Sequence, residues 1–521
     1  MHRLTRYYKN YFGIRAFIFS LSLFVSVAHA QNNTPFVLKA TDYKHYIDYF
    51  NTMEDENIKQ AIPNDSSWQW VRSNIPLFEC PQQNFEEIFY FRWWTLRKHI
   101  KKTEQGFAFT EFLIQRSYAD KYNLIASALG HHIYEARWLH NQQFLNDDIN
   151  IWYRGNDGKP LKKLRFYSSW NIDALYNRYK VNADKKVITG LLPDLESDYA
   201  AWEAEKKSKN GLYWQFDVRD AMEETISGGR KEKNARPSIN GYMYGNAKAL
   251  ASIEKLSGKD ADAKKYEIKA DSIKSLTQSL LWSNKDRFFE VRTEKDTMAN
   301  VKEETGFIPW YFNMPDSNYN IAWKNLTDTK TFTAPFGITT ADRSHPLFRT
   351  HGCCKCEWDG AVWPFATSQT LTATANVLNN YNQTYVTNSD YFNLLNTFVE
   401  SQYYRGRPYV GEYLDEKTGY WLKGDEERSR YYNHSTFNDL IITGLVGLRP
   451  RADDMLEVNP LLPAGKWDWF CLDNVLYHGK IITIIWDKDG KKYNKGRGFS
   501  VWVNGKKLAS SENMKKLVTH L

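Results

Sequence analysis

Carboxylates and aromatic residues are interleaved in the segment YWQFDVRDAMEETISG, residues 213–228. Asp217, Asp220 and Glu224 are spaced by three and four residues, and Trp214 lies just before them. A solvated helix face does not need the aromatic residues, and a buried helix does not tolerate the charges. A pocket that stacks on a sugar ring and holds a carboxylic acid needs both. The segment therefore predicts one wall of a sugar-processing site.

A second acidic stretch, GEYLDEKTGYW, lies about 190 residues further along the chain, at residues 411–421. Glu412 follows a Gly and precedes the turn DEKTG, a placement that frees its side chain to hold a water molecule. Hydrolysis of a glycosidic bond with inversion uses one carboxylic acid and one carboxylate, roughly 6.5 to 9.5 Å apart, to protonate the leaving oxygen and activate water. The two stretches would have to face each other across a pocket.

Three motifs resemble those of the clan G inverting glycosidases, which include trehalase, family 63 α-glucosidase and mannosylglycerate hydrolase. The acidic segment and the following INGYMYGNAKALASI resemble the acid-bearing loop and helix of that clan. FGITTADRSHPLF followed by EWDGAVWPFATSQTL resembles its Gly-rich turn and helix start, and GEYLDEKTGYW resembles its base-bearing loop. The resemblance covers residues 85–448. It implies a six-hairpin glycosidase fold and an inverting hydrolase.

Carried over by position, the resemblance implies that Asp220 is the general acid and Glu412 the general base. The clan has a Ser-Pro-like pair shortly after the acid, whereas this chain has Ala-Met-Glu, so Asp217 is the alternative acid. Asp220 could instead cap a helix or pair with Arg219. Glu304 competes with Glu412 for the role of base.

Further side chains are predicted to bind the substrate. Asp359 suits a grip on sugar hydroxyls, because it lies between two tryptophans whose indoles can cover the ring, although it also competes for the role of base. His131, His132 and Arg236 are additional candidates. The predicted substrate-binding residues are Arg92, Trp93, Trp94, Trp170, Asp173, Trp214, Gln215, Asn240, Trp358, Asp359, Trp363 and His434.

The elements that would position these residues are mostly helices. Apolar residues recur at spacings of three and four through residues 85–448, with long loops between them. Helical hairpins repeated in this way suggest an (α/α)6 toroid, and periodicity alone also permits an α-solenoid. Residues 31–84 form an N-terminal segment with a Pro-bounded loop, IPLFECPQQNF, and residues 449–521 have the period of two of a small β-structure.

The first thirty residues predict export. Four basic residues and no acidic ones precede the apolar run AFIFSLSLFVSVA and the sequence AHA, which is typical of a signal peptide cleaved after Ala30. The apolar run is shorter than the ~20 residues of a spanning helix. Removing these four charges from the formal +8 leaves +4, which is too mild for a nucleic-acid-binding protein. We expect a periplasmic or secreted protein without a membrane anchor, whose oligomeric state stays open.

Five cysteines are too few for a disulfide scaffold. Cys353, Cys354 and Cys356 crowd into THGCCKCEWDG, where a metal site would need a fourth ligand such as His351 or Cys471. One disulfide plus buried thiols is the preferred interpretation. The proposed chemistry requires no metal and no organic cofactor.

Aromatic residues make up 16% of the chain, with 19 Trp, 33 Tyr and 29 Phe, which fits both sugar stacking and a large aromatic core. The sequence thus predicts an exported inverting hydrolase acting on an oligosaccharide or at a glycan chain end. The sugar and its anomeric configuration stay open. Two alternatives remain: a polysaccharide lyase or sugar epimerase that uses His131, His132 or His434 on the same toroid, and a non-catalytic glycan-binding protein.

Overall fold

The computed structural model describes residues 36–352 and 356–521. Residues 36–521 form one compact unit. The predicted signal peptide, residues 1–30, lies outside the described residues, as do Cys353 and Cys354. Within the described part of the chain, no helix is both long enough and apolar enough to cross a membrane.

The chain is mainly helical, as its apolar spacing predicts. The α-helices found in the described residues are α1 (Lys44–Asn51), α2 (Ser67–Asn74), α3 (Gln83–Lys98), α4 (Leu129–Ala136), α5 (Gln143–Arg154), α6 (Asn171–Asn182), α7 (Lys185–Gly190), α8 (Leu192–Lys206), α9 (Pro237–Leu256), α10 (Asp260–Leu280), α11 (Ile308–Tyr311), α12 (Pro364–Asn380) and α13 (Asn388–Ser401). A π-helix spans Leu440–Leu445.

Local chemistry explains where several of these helices begin. Pro237 and Pro364 are the first residues of α9 and α12, a position where the missing N–H costs nothing and the fixed φ favours the helix. Helix α13 begins with a capping box, in which Thr387 and Asp390 satisfy each other's backbone N–H groups. The loops that precede α9 and α12 therefore lie at the N-terminal ends of these helices.

Helices pack side by side in the order α4, α6, α9, α11, α12 and the π-helix, and these six are called the ring helices below. The π-helix returns to α4, because the buried Glu135 carboxylate accepts the backbone N–H groups of Asn438 at 2.9 Å and Asp439 at 3.1 Å. Arg137, just after α4, also pairs with Asp439 at 2.7 Å. The series of contacts is therefore closed. Helices α8 and α10 pack against α9, and α13 packs against α12.

An antiparallel five-stranded sheet joins the two ends of the described chain, in the order β1-β13-β14-β15-β16. Strand β1 comes from the segment that was predicted to be a Pro-bounded loop, and its Phe78 pairs with Leu472 of β13. That loop prediction is wrong at β1, because the partner strand lies some 390 residues away and leaves no local signal. Asp473 adds a second tie by accepting the N–H groups of Val37 at 2.7 Å and Leu38 at 2.9 Å.

The remaining strands form two-stranded sheets. The C-terminal strands agree with the period of two in the sequence. The strands in the described residues are β1 (Leu77–Glu79), β2 (Ile100–Thr103), β3 (Gly106–Phe109), β4 (Trp214–Gln215), β5 (Asn234–Ala235), β6 (Trp282–Ser283), β7 (Phe288–Phe289), β8 (Thr333–Ala334), β9 (Gly337–Ile338), β10 (Tyr403–Tyr404), β11 (Arg407–Pro408), β12 (Met455–Val458), β13 (Trp469–Tyr477), β14 (Lys480–Asp487), β15 (Gly498–Val503), β16 (Lys506–Ser511) and β17 (Leu517–His520).

Candidate active site

A cavity of about 420 Å³ opens among the loops at the N-terminal ends of the ring helices. Ser127 lies just before α4, Tyr167 lies before α6, and Phe365 is in the first turn of α12. All three side chains line the cavity. Its wall also contains Glu111, Tyr118, Ile125, Phe166, Val218, Arg219, Ala221, Glu223, Arg230, Cys356, Trp358, Trp363, Glu412, Arg428, Tyr432 and His434.

Glu412 lines this cavity on the loop where the sequence predicts the general base. Leu414, two residues later, exchanges two backbone hydrogen bonds of 3.0 Å with Val362, which fixes the loop beside the start of α12. The Glu412 N–H donates to Ser429 Oγ at 3.0 Å, and its carbonyl accepts from His434 Nε2 at 3.2 Å. The backbone around Glu412 is thus held from three sides.

Two cations surround the Glu412 carboxylate. Lys423 Nζ lies 3.2 Å and Arg428 NH2 lies 3.1 Å from the same oxygen, Oε2. The two cations attract the carboxylate and hold it in the cavity wall.

Glu223 is the acidic residue that the segment 213–228 contributes to the cavity. Its side chain is half-buried, and no side chain among the described residues donates a hydrogen bond to it. Burial raises the pKa of Glu223 from 4.5 to about 7, and the negative charges of Glu412 and Asp217 add to the shift. Glu223 is therefore a carboxylic acid that keeps its proton close to neutral pH.

Asp220 is placed differently from the predicted general acid, because it lies outside the cavity wall. Its side chain is fully buried. Oδ2 accepts from Arg236 Nε at 2.9 Å and from the Ser238 hydroxyl at the start of α9. The ion-pair partner is thus Arg236 and not Arg219. Asp220 ties the acidic loop to α9, three residues before Glu223.

The alternative acid, Asp217, also lies outside the cavity wall. Its carboxylate is buried and accepts the neighbouring Val218 N–H, and burial raises its pKa. Its effect on the cavity is electrostatic, since its charge raises the pKa of Glu223.

Glu111 is a third cavity carboxyl that no sequence motif indicates. It accepts hydrogen bonds from the Tyr432 hydroxyl and, at 3.3 Å, from Ser127 Oγ. Burial raises the pKa of Glu111 to about 8, with contributions from the charges of Glu412 and Glu223. The three carboxyl groups are therefore close enough to influence one another.

Stacked aromatic rings form a further part of the wall. Trp358 stacks on Trp363 with ring centroids 4.6 Å apart, and Trp363 stacks on Tyr413 at 4.7 Å. The indole N–H groups of Trp358 and Trp363 are buried without a hydrogen-bond partner among the described residues. A buried donor beside a cavity suits a ligand hydroxyl, because an unpaired buried polar group is costly. These two predicted sugar-binding residues, with His434, lie in the cavity wall.

The residues predicted on α3 do not reach the cavity. Trp93 and Trp94 are core residues, and the Trp94 indole donates to Asn51 Oδ1 at 2.8 Å. Arg92 is buried and donates to Gln402 at 2.9 Å and to Ser435. Helix α3 packs against α1 and α13 and not among the ring helices, so its side chains point into helix contacts. The substrate-binding residues predicted on α3 therefore lie outside this cavity.

Asp173, which accepts the Tyr134 hydroxyl at 2.8 Å, and four other predicted residues also lie outside this wall. Gln215 donates to Ser168 Oγ at 3.2 Å, and Asn240 bridges the backbone of Tyr213 and Arg236. Trp214 is half-buried under Lys206, whose Nζ lies 4.2 Å from the ring centroid. The fourth residue, Trp170, is buried in the core.

The two other candidates for the general base, Glu304 and Asp359, also lie outside the cavity wall. Glu304 is buried and accepts from Thr370 Oγ1 at 2.7 Å, and burial raises its pKa well above 4.5. Asp359 accepts the His351 N–H at 2.9 Å and lies behind Trp358, outside the wall. Glu412 is thus the one of the three that lines the cavity.

Of the three candidate histidines, His434 lines the cavity, and burial lowers its pKa well below 6.5. His131 packs against Phe365 with ring centroids 4.6 Å apart, and His132 contacts the Asn433 carbonyl at 2.7 Å.

Several cavity residues have little or no signal in the sequence. Glu223 lies in the same acidic stretch as Asp220, and that proximity could have identified it. Arg230 and Arg428 lie in charged loops that resemble solvated turns. Glu111 follows β3 in a segment without a motif. Loop residues have no periodicity that would reveal which of them face a cavity.

The described residues contain no cluster of three or more His, Cys, Asp or Glu side chains that could hold a metal ion. Cys80, Cys356 and Cys471 are free thiols, and burial raises the pKa of Cys356 in the cavity wall to about 12. Cys353 and Cys354 lie outside the described residues. The disulfide predicted for this cluster stays a prediction.

Carboxyl groups beside stacked indoles, at one end of a closed series of helices, are typical of carbohydrate-active enzymes. Residues 121–435 match the family described as the mannosylglycerate hydrolase MGH1-like glycoside hydrolase domain. This match covers more than half of the chain, and the chain belongs to that family. Residues 448–509 match the C-terminal domain of glycosyl hydrolase family 65. The predicted resemblance to mannosylglycerate hydrolase-like enzymes is confirmed.

Individual relatives extend this comparison. A solved structure named Sialidase is 60% identical with a TM-score of 0.91, and the match covers 92% of this chain and 44% of that chain. An uncharacterized protein of Borreliella burgdorferi is 26% identical over 218 residues, which are 42% of this chain and 43% of that protein. This chain thus spans less than half the length of either relative.

A GH63 mannosylglycerate hydrolase from Thermus thermophilus, solved in complex with glucose, has a TM-score of 0.51. The match covers 68% of this chain and 99% of that chain. At 10% identity, this likeness concerns the fold alone.

Proposed function

We propose that the protein is an exported, inverting glycoside hydrolase that acts on a short oligosaccharide or at a glycan chain end, with Glu412 as general base and Glu223 as general acid. One observation carries the proposal. A single cavity holds a carboxylate paired with two cations and a second carboxyl whose pKa is raised to about 7. A carboxyl group that keeps its proton suits the role of acid, and a carboxylate held by two cations in the same cavity suits the role of base.

The fold supports this assignment. The closed series of ring helices, each preceded by another helical segment, supports the predicted (α/α)6 toroid, and an α-solenoid would have no contact between its first and last elements. In such a toroid, loops at one end of the helices build the site, as the cavity lining does here.

In the proposed reaction, Glu223 donates its proton to the glycosidic oxygen as the bond to the anomeric carbon breaks. Glu412 accepts a proton from a water molecule, whose oxygen attacks the anomeric carbon from the opposite face. The product then has the inverted configuration. Glu223 replaces Asp220 in this proposal, because the fully buried Asp220 side chain lies outside the cavity wall and its Oδ2 accepts from Arg236 and Ser238.

The size and lining of the cavity support action on a terminal sugar. A volume of about 420 Å³ is that of a small-molecule pocket and not of an open polymer groove. Trp358 and Trp363 line the cavity, and their indole N–H groups have no hydrogen-bond partner among the described residues, which leaves both donors for a sugar hydroxyl. Family membership favours hydrolysis over the lyase, epimerase and binding-protein alternatives.

Export rests on the N-terminal sequence pattern alone. N-terminal sequencing of the protein recovered from cell fractions tests it, and we expect the mature chain to begin at Gln31 in a periplasmic or secreted fraction. A mature chain that keeps residues 1–30 would contradict this part of the proposal.

The catalytic proposal is tested with the variants Glu223→Gln and Glu412→Gln, after a glycan and aryl-glycoside panel has identified a substrate. We expect each variant to lose ~10³-fold or more in kcat/KM on an unactivated substrate. A glycosyl fluoride needs no protonation of its leaving group, so it restores activity to Glu223→Gln and not to Glu412→Gln. NMR of the first product detects the inverted anomer.

Two further variants complete this experiment. Glu427→Gln, an exposed acid on the same loop as Arg428, should behave like the unmodified protein. Asp220→Asn should lose activity without rescue by the fluoride, because Asp220 positions the loop and donates no proton. Normal hydrolysis by Glu223→Gln, or a product of retained configuration, would reject the assignment.

A further inference from the structure

A second cavity, of about 520 Å³, lies further along the ring helices than the candidate active site. Tyr134 is near the end of α4, Lys180 is near the end of α6, and Asn376 is in the last turns of α12, and all three line it. The N-terminal ends of the same helices border the candidate active site. Lys248 and Asn380 at its edge are exposed, so the cavity is open to solvent.

Buried aromatic residues separate the two cavities. Trp170 lies between Phe365 of the first wall, at a centroid distance of 6.1 Å, and Tyr311 of the second wall, at 5.9 Å. Its indole N–H donates to the Tyr311 hydroxyl at 3.2 Å. Trp170, which the sequence assigns to the sugar pocket, is therefore a partition, and the second cavity is a separate space.

The second cavity has more positive charge than its own acids neutralise. Among the described residues, none of Lys180, Lys248 and Arg449 forms an ion pair. Arg449 donates only to neutral oxygens, at 3.0 Å to Asn376 and 3.4 Å to the Thr443 carbonyl. Lys180 donates to Asn177 Oδ1 at 3.2 Å.

The acids of this wall have other partners. Asp439 accepts from Arg137 at 2.7 Å, and Asp173 accepts from the Tyr134 hydroxyl at 2.8 Å. Burial lowers the pKa of Lys180 to about 8; the negative charge of Asp173 opposes this shift, and the charges of Arg137 and Arg449 add to it. The wall contains four cations and two acids, so positive charge is in excess, and a bound anion relieves the repulsion among the cations.

The remaining lining suits a sugar. Tyr134, Tyr244 and Tyr311 supply aromatic surface, and Asn177 and Asn376 accept hydrogen bonds from Lys180 and Arg449 and so position these two cations. A guanidinium such as Arg449 can bind a carboxylate through two parallel hydrogen bonds. We propose that this cavity binds an acidic sugar, a single unit that carries a carboxylate, at a site separate from the catalytic cavity.

The test is calorimetric titration of the full chain with glucuronate, glucose and inorganic sulfate. We expect saturable binding of glucuronate and binding of glucose weaker by about tenfold or more, since glucose lacks the charge. Lys180→Gln should weaken glucuronate binding by about tenfold or more. Lys209→Gln, an exposed lysine outside both cavities, is the matched control and should bind glucuronate normally.

A second variant keeps the test valid if Lys180→Gln does not fold. Ser252→Trp adds a large side chain to the partly exposed wall on α9 without removing a charge, and it should also abolish glucuronate binding. Glucuronate binding that survives both variants would overturn the proposal, as would sulfate binding without glucuronate binding. None of these measurements depends on hydrolysis, so they are independent of the catalytic assignment.

Discussion

Single residues in the cavity differ in role because their neighbours differ. Glu412 and Glu223 have the same side chain. Lys423 and Arg428 form ion pairs with Glu412, whereas burial and nearby negative charge raise the pKa of Glu223 to about 7. The motif predicts the Glu412 loop, but no motif predicts that Glu223 and not Asp220 lines the cavity. Both acids lie in one loop, and only the positions of Arg236 and Ser238 show which of them is engaged.

The pH dependence of hydrolysis follows from the raised pKa of Glu223. The acid must be protonated to act, and its pKa is raised from 4.5 to about 7, so kcat/KM should fall as the pH rises through about 7. The measurement is a pH profile on an unactivated substrate. With a glycosyl fluoride, this fall should disappear. Constant activity up to about pH 9 on the unactivated substrate would contradict the assignment.

Two helices can pack closely where one of them has a glycine at the contact, because glycine has no side chain. Helix α9 crosses α11 at Gly245, where an added Cβ would lie 2.2 Å from the ring of Phe312. Sequence periodicity identifies α9 but gives no reason for a glycine in the middle of the helix. The reason is the neighbouring helix, whose distance is set by packing.

Gly245→Ala should therefore destabilise the protein although alanine favours helices. The gain in helix propensity is about 1 kcal/mol, and overpacking costs about 1–3 kcal/mol. Because the ring of Phe312 must shift, we expect the cost to exceed the gain in thermal unfolding. Gly190, in the last turn of α7, is the matched control, since a Cβ there meets nothing within 4 Å. Gly190→Ala should be neutral or stabilising, and equal effects of both changes would refute the packing explanation.

At the scale of the whole molecule, the two ends of the described chain stabilise each other. Asp473 of β13 is buried and accepts hydrogen bonds from Val37, Leu38 and, at 2.6 Å, Thr483. Residues 36–521 accordingly form one unit although the sequence suggests an N-terminal segment, a helical region and a β-rich end.

Asp473→Asn should lower the free energy of unfolding by about 1–3 kcal/mol, because the amide nitrogen cannot accept the hydrogen bonds that a carboxylate oxygen accepts. Denaturant unfolding followed by tryptophan fluorescence and by circular dichroism measures the loss and tests for a single transition. Asp468→Asn, at an exposed position, is the control and should have little effect. Two separate transitions would contradict the single unit.

The sequence by itself determined the helical class, the prolines that begin α9 and α12, the C-terminal strands and the family motifs, because each depends on local periodicity or on the backbone chemistry of a few neighbouring residues. Only the tertiary structure decided that Glu111, Glu223 and Glu412 share one cavity, that Trp93 and Trp94 belong to the core, and that β1 pairs with β13. These facts depend on contacts between residues more than a hundred positions apart or on which face of an element is covered, and neither leaves a periodic signal in the chain.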